Sequence, residues 1–135
     1  MMKVVLDTNT YISGILFNGA PRKVLNLIIE GKVESFISDE IVTELREVLG
    51  REKFGLSGDN VHFIVAEIES VNNVVYPAIP IQAVEKDTTD NKVIECAVEA
   101  DADVIISGDK HLTELKRFRN IEIAYAGDFL YKYFK

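Results

Sequence analysis

At 135 residues with 47% hydrophobic content, the chain has the length and apolar surface of one ordinary globular domain. No uncharged apolar stretch approaches a membrane span, and a single cysteine excludes an internal disulfide or a multi-cysteine zinc site, so the expectation is a soluble, unexported protein of the reducing cytoplasm. A net charge of −7, from 22 acids against 15 bases, argues against a simple basic face for nucleic acid, whose binding is normally driven by Lys and Arg neutralising phosphates.

The chain opens on Val4-Val5-Leu6, a β-branched apolar run without alternation, which predicts a strand buried on both faces of a parallel sheet. Asp7 follows where that strand ends, with Thr8 or Asn9 placed to cap a helix beginning on Thr10, Tyr11 and Ile12. Ligands bind beyond the carboxyl ends of strands in open parallel sheets, so Asp7 reads equally as a site carboxylate and as a helix cap. Residues 20–29 predict a helix, with Pro21 in its first turn, Gly31 past its end and Val24, Leu25, Ile28 and Ile29 as its buried stripe. Glu34 to Ser38 reads as a short strand. Asp39 to Leu49 reads as a helix whose inward face is Ile41, Val42, Leu45, Val48 and Leu49. Glu44 stands on the border of that face, a position that suits either a site acid or an ion pair with Arg46 or another base.

A basic, glycine-containing connection over 50–58 leads to a helix from Asp59 or Asn60 to about Val71, with His62 on its surface. Val74-Val75-Tyr76-Pro77 and Ile79-Pro80-Ile81 form an extended, proline-broken segment that reads as an edge strand or a loop. In the stretch from Asp87 to Val98, Val93, Ile94, Ala97 and Val98 form a helical core face. Asp90 precedes them at the helix's beginning, as a routine N-cap or as an inward carboxylate at a positive helix end. Cys96 reads as a small packing residue. Val104-Ile105-Ile106-Ser107-Gly108-Asp109 repeats the opening pattern, an apolar strand running into an acid, and His111 follows as a surface loop residue. The chain closes on a strand over 121–123 and a helix from Asp128 that carries Phe129, Leu130, Tyr133 and Phe134.

Strands alternate with helices throughout, which predicts an α/β fold with a mostly parallel sheet covered on both faces. Asp7 and Asp109 then come from strand ends, Glu44 and Asp90 from inward borders or starts of helices, and the four can converge. Crowded carboxylates are tolerable at neutral pH only with raised pKa values or bound cations, and an all-oxygen set suits Mg²⁺ or Mn²⁺ rather than zinc.

The combination of Val4-Val5-Leu6-Asp7-Thr8-Asn9, Glu44 in the second long helix, Asp90-Asn91-Lys92-Val93-Ile94-Glu95-Cys96-Ala97 and Ile106-Ser107-Gly108-Asp109 resembles the PIN-domain family of metal-dependent nucleases. It is most similar to the small single-domain, VapC-like prokaryotic branch, which contains the toxins of toxin–antitoxin pairs. The resemblance implies a PIN-like three-layer α/β/α domain over residues 1–135, with an acidic pocket for one or two Mg²⁺ or Mn²⁺ ions. It implies that Asp7, Glu44, Asp90 and Asp109 are the catalytic and metal-holding acids, supported by Asn9, Ser13 and Ser107. Asp87 is a less securely placed neighbour, because it lies outside the apolar register that fixes Asp90. The implied reaction is hydrolysis of phosphodiesters in single-stranded RNA by metal-activated water, with no His or Lys base required.

Bound divalent ions would also answer the charge objection, with Arg22, Lys23, Arg46, Arg51, Lys53, Lys110, Lys116, Arg117 and Arg119 available to the RNA backbone. Tyr11, Ile12, Ile15, Leu16 and Phe17 give the first helix apolar surface for a homodimer or for the core, and the resemblance implies a dimer and an antitoxin partner. Two other classes compete. A phospho-acceptor signalling domain would want acids where Met2 and Lys3 stand. A PIN-like binding or regulatory module would keep the metal or RNA site while being catalytically silent or held inhibited by a partner.

Overall fold

The computed structural model describes residues 1–84 and 88–134. In chain order these form β1 (Lys3–Leu6), α1 (Thr8–Leu16), α2 (Ala20–Ile29), β2 (Glu34–Ser38), α3 (Asp39–Leu49), a 3₁₀ turn (Glu52–Phe54), α4 (Gly58–Ser70) and β3 (Asn73–Val75). They continue as α5 (Thr88–Ala100), β4 (Val104–Ile106), α6 (Lys110–Thr113), β5 (Arg117–Phe118), β6 (Ile121–Ala124) and α7 (Ala126–Tyr133). Among the described residues the strands make one six-stranded sheet in the order β3-β2-β1-β4-β6-β5, parallel throughout except where β5 meets β6. Val5 lies opposite Phe36 on one side and Ile105 on the other. The chain leaves β1 for β2 and β3, then returns to β4 on β1's other side. Strand order therefore reverses between β1 and β4, and the crevice of such a sheet opens beyond the carboxyl ends there.

Val4, Val5 and Leu6, with Val104, Ile105 and Ile106, are all 1% exposed or less, which is what an apolar run without alternation demands. Helices supply the cover. α5 touches β1, β2, β3 and β4, while α2 packs against α1 and α7. Gly14 lets α1 and α2 approach closely, since a Cβ there would lie 3.0 Å from the Pro21 carbonyl oxygen. Arg22 closes the same corner. Its Nε and Nη2 donate to the carbonyls of Gly14 and Ile15 at 3.0 and 2.9 Å, and its Nη1 donates to Asn18 Oδ1 at 2.7 Å. This guanidinium, expected to face RNA, satisfies carbonyls at the end of α1.

Tyr11 is wholly buried, with its hydroxyl 3.5 Å from Ser35 Oγ and 3.2 Å from Asn72 Oδ1, to which it donates, and burial pushes its ionisation up to about 12. Ile12 is buried beside it, Ile15 and Leu16 are partly buried, and only Phe17 of the apolar set on α1 is largely exposed. The surface foreseen for a dimer is thus mostly core.

Several boundaries differ from expectation. Asp7 itself caps α1, which begins at Thr8. Ile29, placed in the buried stripe of α2, is 59% exposed because the stripe runs through Val24, Leu25 and Ile28, with Leu27 packed at its edge. α5 begins at Thr88, so Asp90 stands in its first turn rather than at its cap. Asn73–Val75 makes the start of the ambiguous stretch an edge strand, from Tyr76 to Ile81 it is irregular, and α7 starts at Ala126 rather than Asp128. The short α6 and β5 were not anticipated.

One face of α5 sews down the preceding segment. Asn91 Oδ1 accepts from the amides of Ala83 and Val84 at 2.9 and 2.7 Å, and its Nδ2 donates to the Val84 carbonyl at 2.9 Å. Glu95 accepts from the Ile81 amide at 2.8 Å and Glu99 from the Ala78 amide at 3.2 Å. Positions i, i+4 and i+8 share a helix face, so residues 78–84 lie along α5. No described helix is long and apolar enough to cross a membrane.

Candidate active site

Asp7 is the first residue past β1, and its amide continues the ladder by donating to the Ile106 carbonyl at 3.2 Å. Its Oδ1 caps α1 by accepting from the Thr10 amide at 2.8 Å, while the Ser107 hydroxyl donates to Oδ2. Ser107, 1% exposed just past β4, in turn accepts from the Asp109 amide at 3.0 Å, and Asp109 Oδ1 caps α6 by accepting from the His111 amide at 2.7 Å. The two strand ends are therefore joined by a polar chain from Asp7 through Ser107 to Asp109. Burial raises the Asp7 carboxyl above its ordinary range, the bonds from Ser107 and Thr10 pull the other way, and the Asp109 charge adds to the rise.

Two helices complete the group. α3 brings Glu44, half-buried on the border of its inward face, and α5 brings Asp90, 8% exposed. Asp7, Glu44, Asp90 and Asp109 line a single cavity of about 60 Å³ together with Thr8, Asn9 and Val93. All four predicted acids meet there. Among the described residues, no three His, Cys, Asp or Glu side chains are already gathered to hold an ion. The donor set nonetheless fits a hard divalent cation. It is all oxygen, it surrounds one small polar cavity, and its most buried member is a carboxylate whose charge burial disfavours, a cost that a bound cation would relieve.

The supporting residues divide. Asn9 is exposed at the rim of the cavity, and Ser107 lies beneath it on Asp7. Ser13 is elsewhere, in an adjoining cleft of about 430 Å³ that shares Asn9 and Asp109 with the acidic cavity. Asp87 lies outside the described residues. Thr8 and Val93 in the lining, and Tyr125, which forms part of the cleft after β6, carry no signal of that role in the sequence. Arg46, considered as a partner for Glu44, reaches Glu69 at 4.0 Å instead, and Lys92 lies 3.6 Å from Glu40 on the other flank of Glu44. Cys96 is fully buried, and burial pushes its thiol up to about 12, as suits a packing residue. His62 is exposed on α4, and His111 is half-buried in α6.

The family profile described as the PIN domain matches residues 3–111, a span that includes all four acids. An uncharacterised protein of Methanocaldococcus jannaschii is 36% identical over 125 residues, covering 85% of this chain and 76% of that protein. Among solved structures, VapBC2 from Rickettsia felis, crystallised bound to a DNA fragment from their promoter, matches with a TM-score of 0.64 over 92% of this chain and 99% of that one. At 14% identity, that likeness is one of fold.

Proposed function

Because the chain belongs to the PIN domain family, whose members are generally nucleases, we propose that it is a Mg²⁺- or Mn²⁺-dependent endoribonuclease acting on single-stranded RNA. One observation carries the reading: Asp7, Glu44, Asp90 and Asp109 reach a single cavity from four separate parts of the fold. These acids would hold one or two ions. A divalent ion held there would supply an acidified water for attack on the phosphodiester and charge stabilisation for the leaving oxygen.

The chain's own groups set the stage. The Thr10 amide and Ser107 hydroxyl fix both oxygens of Asp7, and Ser107 also ties Asp109 to the same frame, so the acids on the two strand ends are positioned together. Asn9 at the rim offers hydrogen bonds to the substrate, and Asp87, just ahead of α5, is assigned as a further acidic neighbour. The 135 residues act as one nuclease domain in the cytoplasm. The protein is further assigned as the toxin of a type II toxin–antitoxin pair, forming a homodimer and bound by an antitoxin. Exposed Phe17, Ile29 and Tyr131 offer apolar surface for such contacts.

A second reading is a PIN-like module that binds metal or RNA but is silent or held inhibited by a partner. The deciding experiment is cleavage of a labelled single-stranded RNA with Mn²⁺, Mg²⁺ or EDTA by the native chain, Asp7→Asn and Asp90→Asn. Metal-dependent cleavage lost in both variants supports the enzyme. Metal binding by calorimetry without cleavage supports the module, and neither binding nor cleavage overturns both.

A further inference from the structure

The acidic cavity accounts for the strand ends of β1 and β4, but the next strand in the sheet, β6, also ends at this edge. The residue after it is Tyr125. The Ser107 amide donates to the Ala124 carbonyl at 3.0 Å, so the polar chain that orders Asp7 and Asp109 also fixes the backbone leading into Tyr125. Tyr125 is 45% exposed on the wall of the cleft of about 430 Å³, and its hydroxyl accepts from Thr113 Oγ1 at 3.0 Å. A half-exposed aromatic ring tethered by its hydroxyl is a fixed flat surface.

The rest of the cleft suits something flat and uncharged. Gly108 and Gly127 keep its floor low, with nothing within 4 Å of where their Cβ atoms would stand. Among the described residues Asp109 is the one charged residue in the lining and no Lys or Arg contributes, which suits an uncharged group better than a phosphate. Asn9 and Ser13 supply both donors and acceptors, as the hydrogen-bonding edge of a base requires. Asn9 and Asp109 belong to both spaces, so an occupant of the cleft is next to whatever sits over the four acids.

We propose that this cleft takes one unpaired nucleobase of the substrate strand beside the scissile phosphate, stacked on the Tyr125 ring with its edge met by Asn9 and Ser13. The proposal rests on the nuclease reading above and adds how the single strand would be recognised: a base locked in a duplex cannot enter, whereas a single strand can turn one out.

The test reads binding and cleavage separately. Fluorescence anisotropy follows 5′-labelled single-stranded RNA hexamers, intact or with one abasic position moved along the chain, on the Asp90→Asn background with Mn²⁺. Removing one base–aromatic stack weakens binding about 10-fold. One abasic position should therefore cost about that much on Tyr125 and on Tyr125→Phe. Tyr125→Ala should cost the same on the intact hexamer and then be insensitive to the abasic site. Tyr125→Leu keeps bulk without a π face and must behave like Tyr125→Ala, which guards against a folding defect. Undiminished binding by Tyr125→Ala, or an abasic effect that persists in it, overturns the base seat. Cleavage by the native chain is scored in parallel. Coupling without cleavage keeps the seat and overturns the nuclease, cleavage without coupling does the reverse, and neither binding nor cleavage overturns both.

Discussion

Asp7 carries two demands in one carboxylate. Burial favours its protonated form, while the Thr10 amide and the Ser107 hydroxyl favour the ionised one, and the balance is a raised pKa. A group whose pKa rises on folding lends stability in full below its unfolded value, and loses it as pH climbs through the folded value. Ionised Asp7 is thus a stability cost at neutral pH. Asp7→Asn keeps an oxygen for the Thr10 amide and is expected to melt about 2–5 °C above the native chain at pH 7 in EDTA. That advantage should shrink as pH falls towards the ordinary aspartate value of 3.8. A variant that melts below the native chain at pH 7 would show that the hydrogen bonds outweigh burial. The sequence left Asp7 divided between helix cap and site acid, and the structure makes it both cap and cavity lining. Asp90 and Glu44 were legible from apolar registers that span a few residues. Tyr125 was not, because its place beside Asn9 depends on contacts across more than a hundred residues of chain.

Among the elements, the long periodic ones were readable and the short ones were not. α3 has the bounds that its apolar spacing predicts, Asp39–Leu49. The four-residue α6 and two-residue β5 are too short to carry a period of either kind and owe their form to packing and ladder bonds around β6. The α1–α2 corner gives one prediction. Gly14→Ala gains about 1 kcal/mol of helix propensity but drives a methyl against the Pro21 carbonyl, backbone that Arg22 holds in place. The expected net is a loss of about 1 kcal/mol in urea unfolding, and a net gain would show that the corner can open freely. The face of α5 gives another. Asn91→Ala leaves the amides of Ala83 and Val84 without their acceptor, at a cost of about 2 kcal/mol, and hydrogen exchange at those two amides should quicken before exchange in β1 or β4 does. Uniform quickening across the sheet would mean that the 78–84 segment is integral to the core.

For the molecule as a whole, the net charge of −7 and the four converging acids lead to the same expectation. A cation that binds only the folded chain stabilises it by mass action, about 2.7 kcal/mol at a hundred times its dissociation constant. Mn²⁺ titrated into the native protein should raise the melting temperature progressively and leave the Asp7→Asn, Asp90→Asn double variant unmoved. Equal shifts in both would assign the effect to general screening of surface acids. The sheet's outline bears on how copies can meet. Its two margins are β3, three residues, and β5, two residues, the latter beginning on exposed Arg117. Margins this short, one of them charged, offer little template for a foreign strand. Two copies that associate must therefore do so through helices and loops, by matched side-chain shape, and a concentrated solution should resist growth into cross-β fibres.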